Sequence, residues 1–135
     1  MLGAVVGDIV GSIYETNNHR SKDFPFFDDE ADFTDDTVHT AAVADALVNG
    51  RLPQHALYHW SVRYPGRRYG GAFSDWLESG RLDPYYSGCN GAAMRVSPVA
   101  LLASTLDEAL ENARRMSSAT HCHPEGIMGA VATAH

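Results

Sequence analysis

With 135 residues, 44% of them hydrophobic, and a formal net charge of −7, the chain has the makings of about one globular domain. The apolar fraction excludes an intrinsically disordered chain. The acidic balance excludes a general nucleic-acid binder, which needs a basic face to displace counterions, but it leaves room for a local basic pocket.

The first element is a helix over residues 2–15, in which Gly3, Gly7 and Gly11 recur every four residues and so share one stripe. Each glycine costs a helix roughly 1 kcal/mol against alanine, so the stripe predicts close packing against another helix. Asp8 and Glu15, two turns apart, share a face and can present two carboxylates to one pocket. The stretch meets Asp8 too early, and lacks the basic flank, to be a signal or a membrane span.

A polar loop over residues 16–33 leads to a helix opening at "TDDT", with an apolar face of Val38, Ala42, Val43, Ala46 and Leu47 and a C-cap at Gly50. Pro53 suits the first turn of the next helix. "RYPGRRYGG" reads as a loop and "AFSDWLES" as a short helix closed by Gly80. "SGCNGAAMRVSPVALLAS" reads as a loop running into a helix that Pro98 kinks or restarts. Thr105 and Glu108 form a capping box for a helix over about residues 106–117. Pro124 begins a last helix with Ile127, Ala130, Val131 and Ala134 in period, and that period still runs at His135. No strand pattern and no repeat is present. The class is all-α.

Cys89 and Cys122 are too few for a disulfide framework, so a reducing cytoplasm is the expected setting.

The adjacent carboxylates of Asp35 and Asp36 admit two explanations. Acids in a first helical turn interact favourably with the helix dipole, and Thr34 can cap. Alternatively, an irregular helix start turns both carboxylates toward one hard cation such as Mg²⁺ or Mn²⁺, with the Thr34 and Thr37 hydroxyls and water completing the shell. "DDEAD" at residues 28–32 spells a DDxxD pattern used for magnesium diphosphate by isoprenoid synthases, but it falls in a loop of a short chain. Further along, "SGCNGAAMRVSP" offers small residues that let backbone approach a ligand, together with Asn90 and Arg95. "THCHPEG" places His121 and His123 before a helix N-terminus, where an anion can be received. Arg95 can pair with phosphate or with an internal carboxylate. In "RYPGRRYGG" the candidates for an adenine or diphosphate contact are Tyr64, Arg67 and Tyr69, against a plain solvated basic loop.

Four stretches in order, "GAVVGDIVGSIYE", "FTDDTVHT", "NGAAMRVSPVA" and "THCHPEGIMGAVATA", resemble the ADP-ribosylglycohydrolase family, including the dinitrogenase-reductase-activating type. The resemblance implies an orthogonal helical bundle with a two-metal Mg²⁺ or Mn²⁺ centre that removes ADP-ribose from modified protein side chains. It implies metal ligands at Thr34, Asp35 and Asp36, and catalytic roles for Glu15 and Asp35. It implies ADP-ribose contacts at Ser87, Gly88, Asn90, Gly91 and His121; on physical grounds Asp8 is expected in a structural or supporting role. The family's second metal motif, an Asp-x-Asp-Thr set, has no match among these residues. The resemblance therefore implies the N-terminal half of a single domain over residues 1–135, with an apolar last-helix face left partly uncovered and self-association or a companion chain expected to complete the fold. A non-catalytic ADP-ribose-binding or interaction module is the alternative from another class, and a diphosphate-binding isoprenoid-type enzyme the third.

Overall fold

A computed structural model describes all 135 residues. Seven α-helices carry the chain: α1 (Leu2–Gly11), α2 (Asp35–Asn49), α3 (Pro53–Arg63), α4 (Gly71–Ser79), α5 (Ser97–Leu102), α6 (Leu106–Ser118) and α7 (Pro124–Ala134). Short 3₁₀ turns follow α1 at Ser12–Tyr14 and precede α5 at Asn90–Ala92. There is no β-sheet, and the one isolated bridge joins Tyr85 to His121.

The helix boundaries follow from local chemistry. Thr34 caps α2 by accepting the Asp36 N–H, and Gly50 ends the helix in the left-handed region (φ 64°). Pro53 occupies the first turn of α3, where its missing N–H costs nothing. Gly80 closes α4, again left-handed at φ 62°. Pro98 restarts the chain as α5 rather than kinking a longer helix. Thr105 accepts the Glu108 N–H at the start of α6, while the Glu108 carboxylate reaches one residue further back, to the Ser104 N–H. The expected capping box is thus opened by one residue.

α2 is the central helix, in contact with α1, α3 and α5, while α7 packs on α6 and α5. Its Ala42, Val43 and Ala46 join Leu57 of α3, Phe73 and Trp76 of α4, Val99 of α5, Met116 of α6 and Val131 of α7 in one core. Burying a side chain the size of Leu57 or Met116 contributes about 1.5–3 kcal/mol. No helix is long and apolar enough to cross a membrane.

Two expectations change. Ala130, Val131 and Ala134 of α7 are buried against the rest of the fold, so that helix does not offer the partly uncovered face expected of it. The glycine stripe of α1 meets no neighbour: a Cβ at Gly3, Gly7 or Gly11 would touch nothing within 4 Å. α1 buries none of its residues and is held through its C-terminal end, where Asp8 and Ser12 meet the segment that opens α2.

Candidate functional site

Asp8 organises the start of α2. Its carboxylate accepts the Thr34 N–H (2.9 Å), the Thr34 hydroxyl (2.6 Å), the Thr37 N–H (3.1 Å) and the Thr37 hydroxyl. Those bonds satisfy two backbone donors of the first turn that have no partner within the helix. They also dispose of both threonine protons, so the hydroxyl oxygens have only lone pairs left to offer. Thr34 itself is buried beneath the carboxylates.

With Asp8 below, Asp36 and Glu15 converge. One carboxylate oxygen from each of Asp8, Glu15 and Asp36 lies within 4.8 Å of the other two. Asp35 is close enough to feel all three: burial first, then the charges of Asp36, Glu15 and Asp8, push its carboxyl from 3.8 up to about 7. Asp36 is raised as well, by burial and then by Asp8 and Glu15. The neighbouring side-chain cation is Arg68, whose guanidinium donates to the Ser12 carbonyl (2.5 Å) and pairs with Glu15 at 3.3 Å. Arg68 takes a left-handed backbone (φ 63°) to get there, a conformation that costs a non-glycine residue about 1 kcal/mol or more. Four carboxylates facing one guanidinium form an oxygen-rich, under-neutralised set, and that donor chemistry fits a hard divalent cation. Asp8 is the member least free to ligate, since its oxygens are already filled by four donors.

The acids form one wall of a cleft of about 360 Å³, within the roughly 300–1,000 Å³ usual for small-molecule sites. The cleft is also lined by Ser87, Asn90, Gly91 and His121, together with Tyr85, Met94 and Arg95. His39 and the Gly70–Gly71 start of α4 also line it. The fold therefore brings Glu15, Asp35, Asp36, Ser87, Asn90, Gly91 and His121 to one cavity, from four separate stretches of sequence. Thr34 lies beneath the acids, and Gly88 does not line the cleft; a Cβ there would stand 3.5 Å from the His123 ring. His123 caps α7 by accepting the Glu125 N–H through Nδ1.

The ligand loop is fixed by tight packing on α7. A Cβ at Gly126 would sit 2.7 Å from the Ser87 carbonyl and 3.2 Å from the His121 ring, so only glycine lets α7 approach the loop. The Tyr85 N–H donates to the Thr120 carbonyl (2.8 Å) and the Cys122 N–H to the Tyr85 carbonyl (3.1 Å), which holds residues 120–122 alongside the loop.

Several polar residues lie elsewhere than the sequence suggests. Arg95 is fully buried and pairs with no carboxylate: it donates to the Met116 carbonyl (3.1 Å) and the Thr120 hydroxyl (2.7 Å). Burial lowers its pKa to about 10, so it remains a cation at neutral pH. In the basic loop, Arg68 rather than Arg67 lines the cleft. Arg67 pairs with Asp32 and lies over the Phe33 ring at 3.7 Å; Tyr69 donates to the Tyr64 carbonyl (2.8 Å), and Tyr64 stacks on Trp60. Nothing in the sequence separates two adjacent arginines. His39 has no sequence signal either, because it sits mid-pattern in α2. It is buried against Phe73 and bonded to the Ser61 hydroxyl (3.2 Å), and burial together with Arg95 holds its pKa well below 6.5.

No curated protein gives a significant match. A family model described as ADP-ribosylglycohydrolase matches residues 1–135. The chain belongs to the ADP-ribosylglycohydrolase family.

Proposed function

We propose that this chain is a metal-dependent hydrolase that removes ADP-ribose from modified protein side chains, using Mg²⁺ or Mn²⁺. The observation that carries the reading is the single cleft lined both by the acids Glu15, Asp35 and Asp36 and by Ser87, Asn90, Gly91 and His121. The family acts on glycosidic bonds of ADP-ribosylated substrates.

In this reading Asp35 and Asp36 hold the cation, with the Thr34 oxygen below them. Asp8 orients that hydroxyl by accepting its proton, an outer partner of the kind that tunes metal ligands. A bound divalent cation would supply charge neutralisation for the carboxylates and a polarised water as nucleophile.

The chain's own groups do the rest. Cleaving a glycosidic bond to ribose builds positive charge at the anomeric carbon, and carboxylates on one wall stabilise it. Glu15 stands at the mouth of the acidic wall as acid or base toward water, its carboxylate held in place by Arg68. Elsewhere in the cleft, small residues let the backbone of the 87–91 loop approach the ligand, and Asn90 and His121 offer polar contacts. The cysteine content favours a cytoplasmic setting.

The direct test is release of ADP-ribose from ADP-ribosylated protein in the presence of Mg²⁺ or Mn²⁺ and in chelator. Binding of ADP-ribose with no release under any of these conditions would favour the alternative, a non-catalytic ADP-ribose-binding module.

A further inference from the structure

The buried Arg95 has no counter-ion, and its hydrogen bonds lead in one direction. Its Nη2 donates to the Thr120 hydroxyl at 2.7 Å, and the same hydroxyl lies 2.8 Å from His121 Nδ1. Thr120 is fully buried, and its oxygen has no other side-chain partner. A guanidinium only donates, so the threonine oxygen accepts there and its single proton must go elsewhere. The one acceptor within reach is His121 Nδ1.

Nδ1 must therefore be the unprotonated nitrogen. Were it to carry a proton, the threonine oxygen would accept twice and its own hydroxyl proton would be stranded without partner or solvent, at the full cost of desolvation. The same count disfavours the imidazolium, which has a proton on both nitrogens. We propose that Arg95, acting through Thr120, fixes His121 as the neutral Nε2–H tautomer, so that the cleft presents an obligatory hydrogen-bond donor to an oxygen of its ligand.

The position of the ring supports this. Nε2 makes no hydrogen bond within the protein, and His121 lines the cleft. The Cε1–Nε2 edge faces Gly91, 3.3 and 3.5 Å from where a Cβ would stand, so the absence of a side chain there keeps the edge clear. The ring is clamped by Gly126 behind it and Tyr85 at 5.6 Å, and the Tyr85 backbone fixes residues 120–122. The titratable groups around it are Arg95, Tyr85 and His39, and Glu15, Asp35, Asp36, Arg68 and Cys89 line the same cleft. Burial and the Arg95 charge hold the imidazole neutral, at a pKa of about 4.

Arg95 and Thr120 are thus positioning residues, and His121 is the group that meets the ligand. The identity of that ligand, an ADP-ribosyl group whose phosphate and ribose oxygens accept hydrogen bonds, rests on the function proposed above. The tautomer does not rest on it.

The test is long-range ¹H–¹⁵N NMR of the full chain with labelled histidine, His121→Gln serving to assign the signals. His121 should show a pyridine-like Nδ1 and a pyrrole-like Nε2 at neutral pH. Thr120→Val keeps the shape but removes both hydrogen bonds; it should give a mixture of tautomers, a His121 titration more than one unit higher, and ADP-ribose binding weaker by roughly tenfold, one hydrogen bond's worth. Thr120→Ser should restore all three. A wild-type His121 protonated on Nδ1 would overturn the proposal without any variant having to fold, and so would a Thr120→Val chain with the wild-type tautomer. The Nε2–H tautomer in a protein that fails to bind ADP-ribose would support the relay and overturn the ligand reading.

Discussion

Asp8 caps a helix to which it does not belong: from α1 it accepts hydrogen bonds from both the backbone and the hydroxyl of Thr34 and of Thr37 at the start of α2. This one carboxylate joins the two helices and sets the floor of the acidic wall. The pair of aspartates that follows is then free for another task, because the cap is already supplied.

The capping role predicts a metal-independent loss. Hydrogen bonds to a charged acceptor contribute about 1.5–3 kcal/mol each, though not additively. Asp8→Ala should lower the unfolding free energy by about 2–4 kcal/mol in chelator, measured by denaturant titration. If that variant matches wild type in chelator and differs only with metal present, Asp8 is a ligand and not a cap.

Asp35 predicts a pH dependence. Its folded pKa of about 7 lies above the unfolded value of 3.8, so its contribution to stability is present below 3.8 and is lost as pH rises through 7. His39 and His121 have the opposite sign, since their folded pKa values lie below 6.5, and their contribution is complete once pH exceeds 6.5. Above pH 6.5 the raised carboxyls, Asp35 with a smaller share from Asp36, therefore act without opposition from these histidines. Metal-free wild type should lose stability in that range, with a slope of at most about 1.4 kcal/mol per pH unit, and Asp35→Asn should be nearly flat. A wild-type curve as flat as the variant's would mean that burial and the neighbouring carboxylates do not raise Asp35 as described.

Two glycines three residues apart separate packing from propensity in α7. Gly126 faces the Ser87 carbonyl at 2.7 Å from a Cβ position, whereas Gly129 faces open space. Gly129→Ala should stabilise by about 0.5–1 kcal/mol through helix propensity. Gly126→Ala should destabilise and weaken ADP-ribose binding, because the loop carrying Ser87 must move. Equal and positive shifts in melting temperature for both would mean that α7 does not support the loop as described.

The sequence made the helices legible because their punctuation is local: Thr34, Gly50, Pro53, Gly80, Thr105 and Pro124 act on their own turns. It made Glu15, Asp36 and the 87–91 loop legible as candidates because two acids seven apart on one helix, acids at a helix start and small residues in a loop are local patterns too. It did not reveal where hydroxyls and guanidinium groups would go. Thr34 and Thr37 look like free oxygen ligands until Asp8, 26 and 29 residues away, is seen to take both protons. Arg95 looks like a phosphate or carboxylate partner until Thr120 and Met116, on the far side of the core, accept from it. The uncovered face of α7 was a poor expectation for the same reason, since burial of Ala130 and Val131 depends on α6 and the 3₁₀ turn arriving from elsewhere.

In the proposed reading, a cation held by Asp35 and Asp36 and a ligand held by the 87–91 loop share one cleft. Calorimetric titration of ADP-ribose into wild type and Asp36→Asn, each in Mg²⁺, in Mn²⁺ and in chelator, tests it most directly. Wild type should bind ADP-ribose more tightly with a divalent cation than in chelator, and Asp36→Asn should bind with the same affinity in all three conditions. ADP-ribose binding that ignores the cation in wild type, or a cation effect that survives intact in Asp36→Asn, would contradict it.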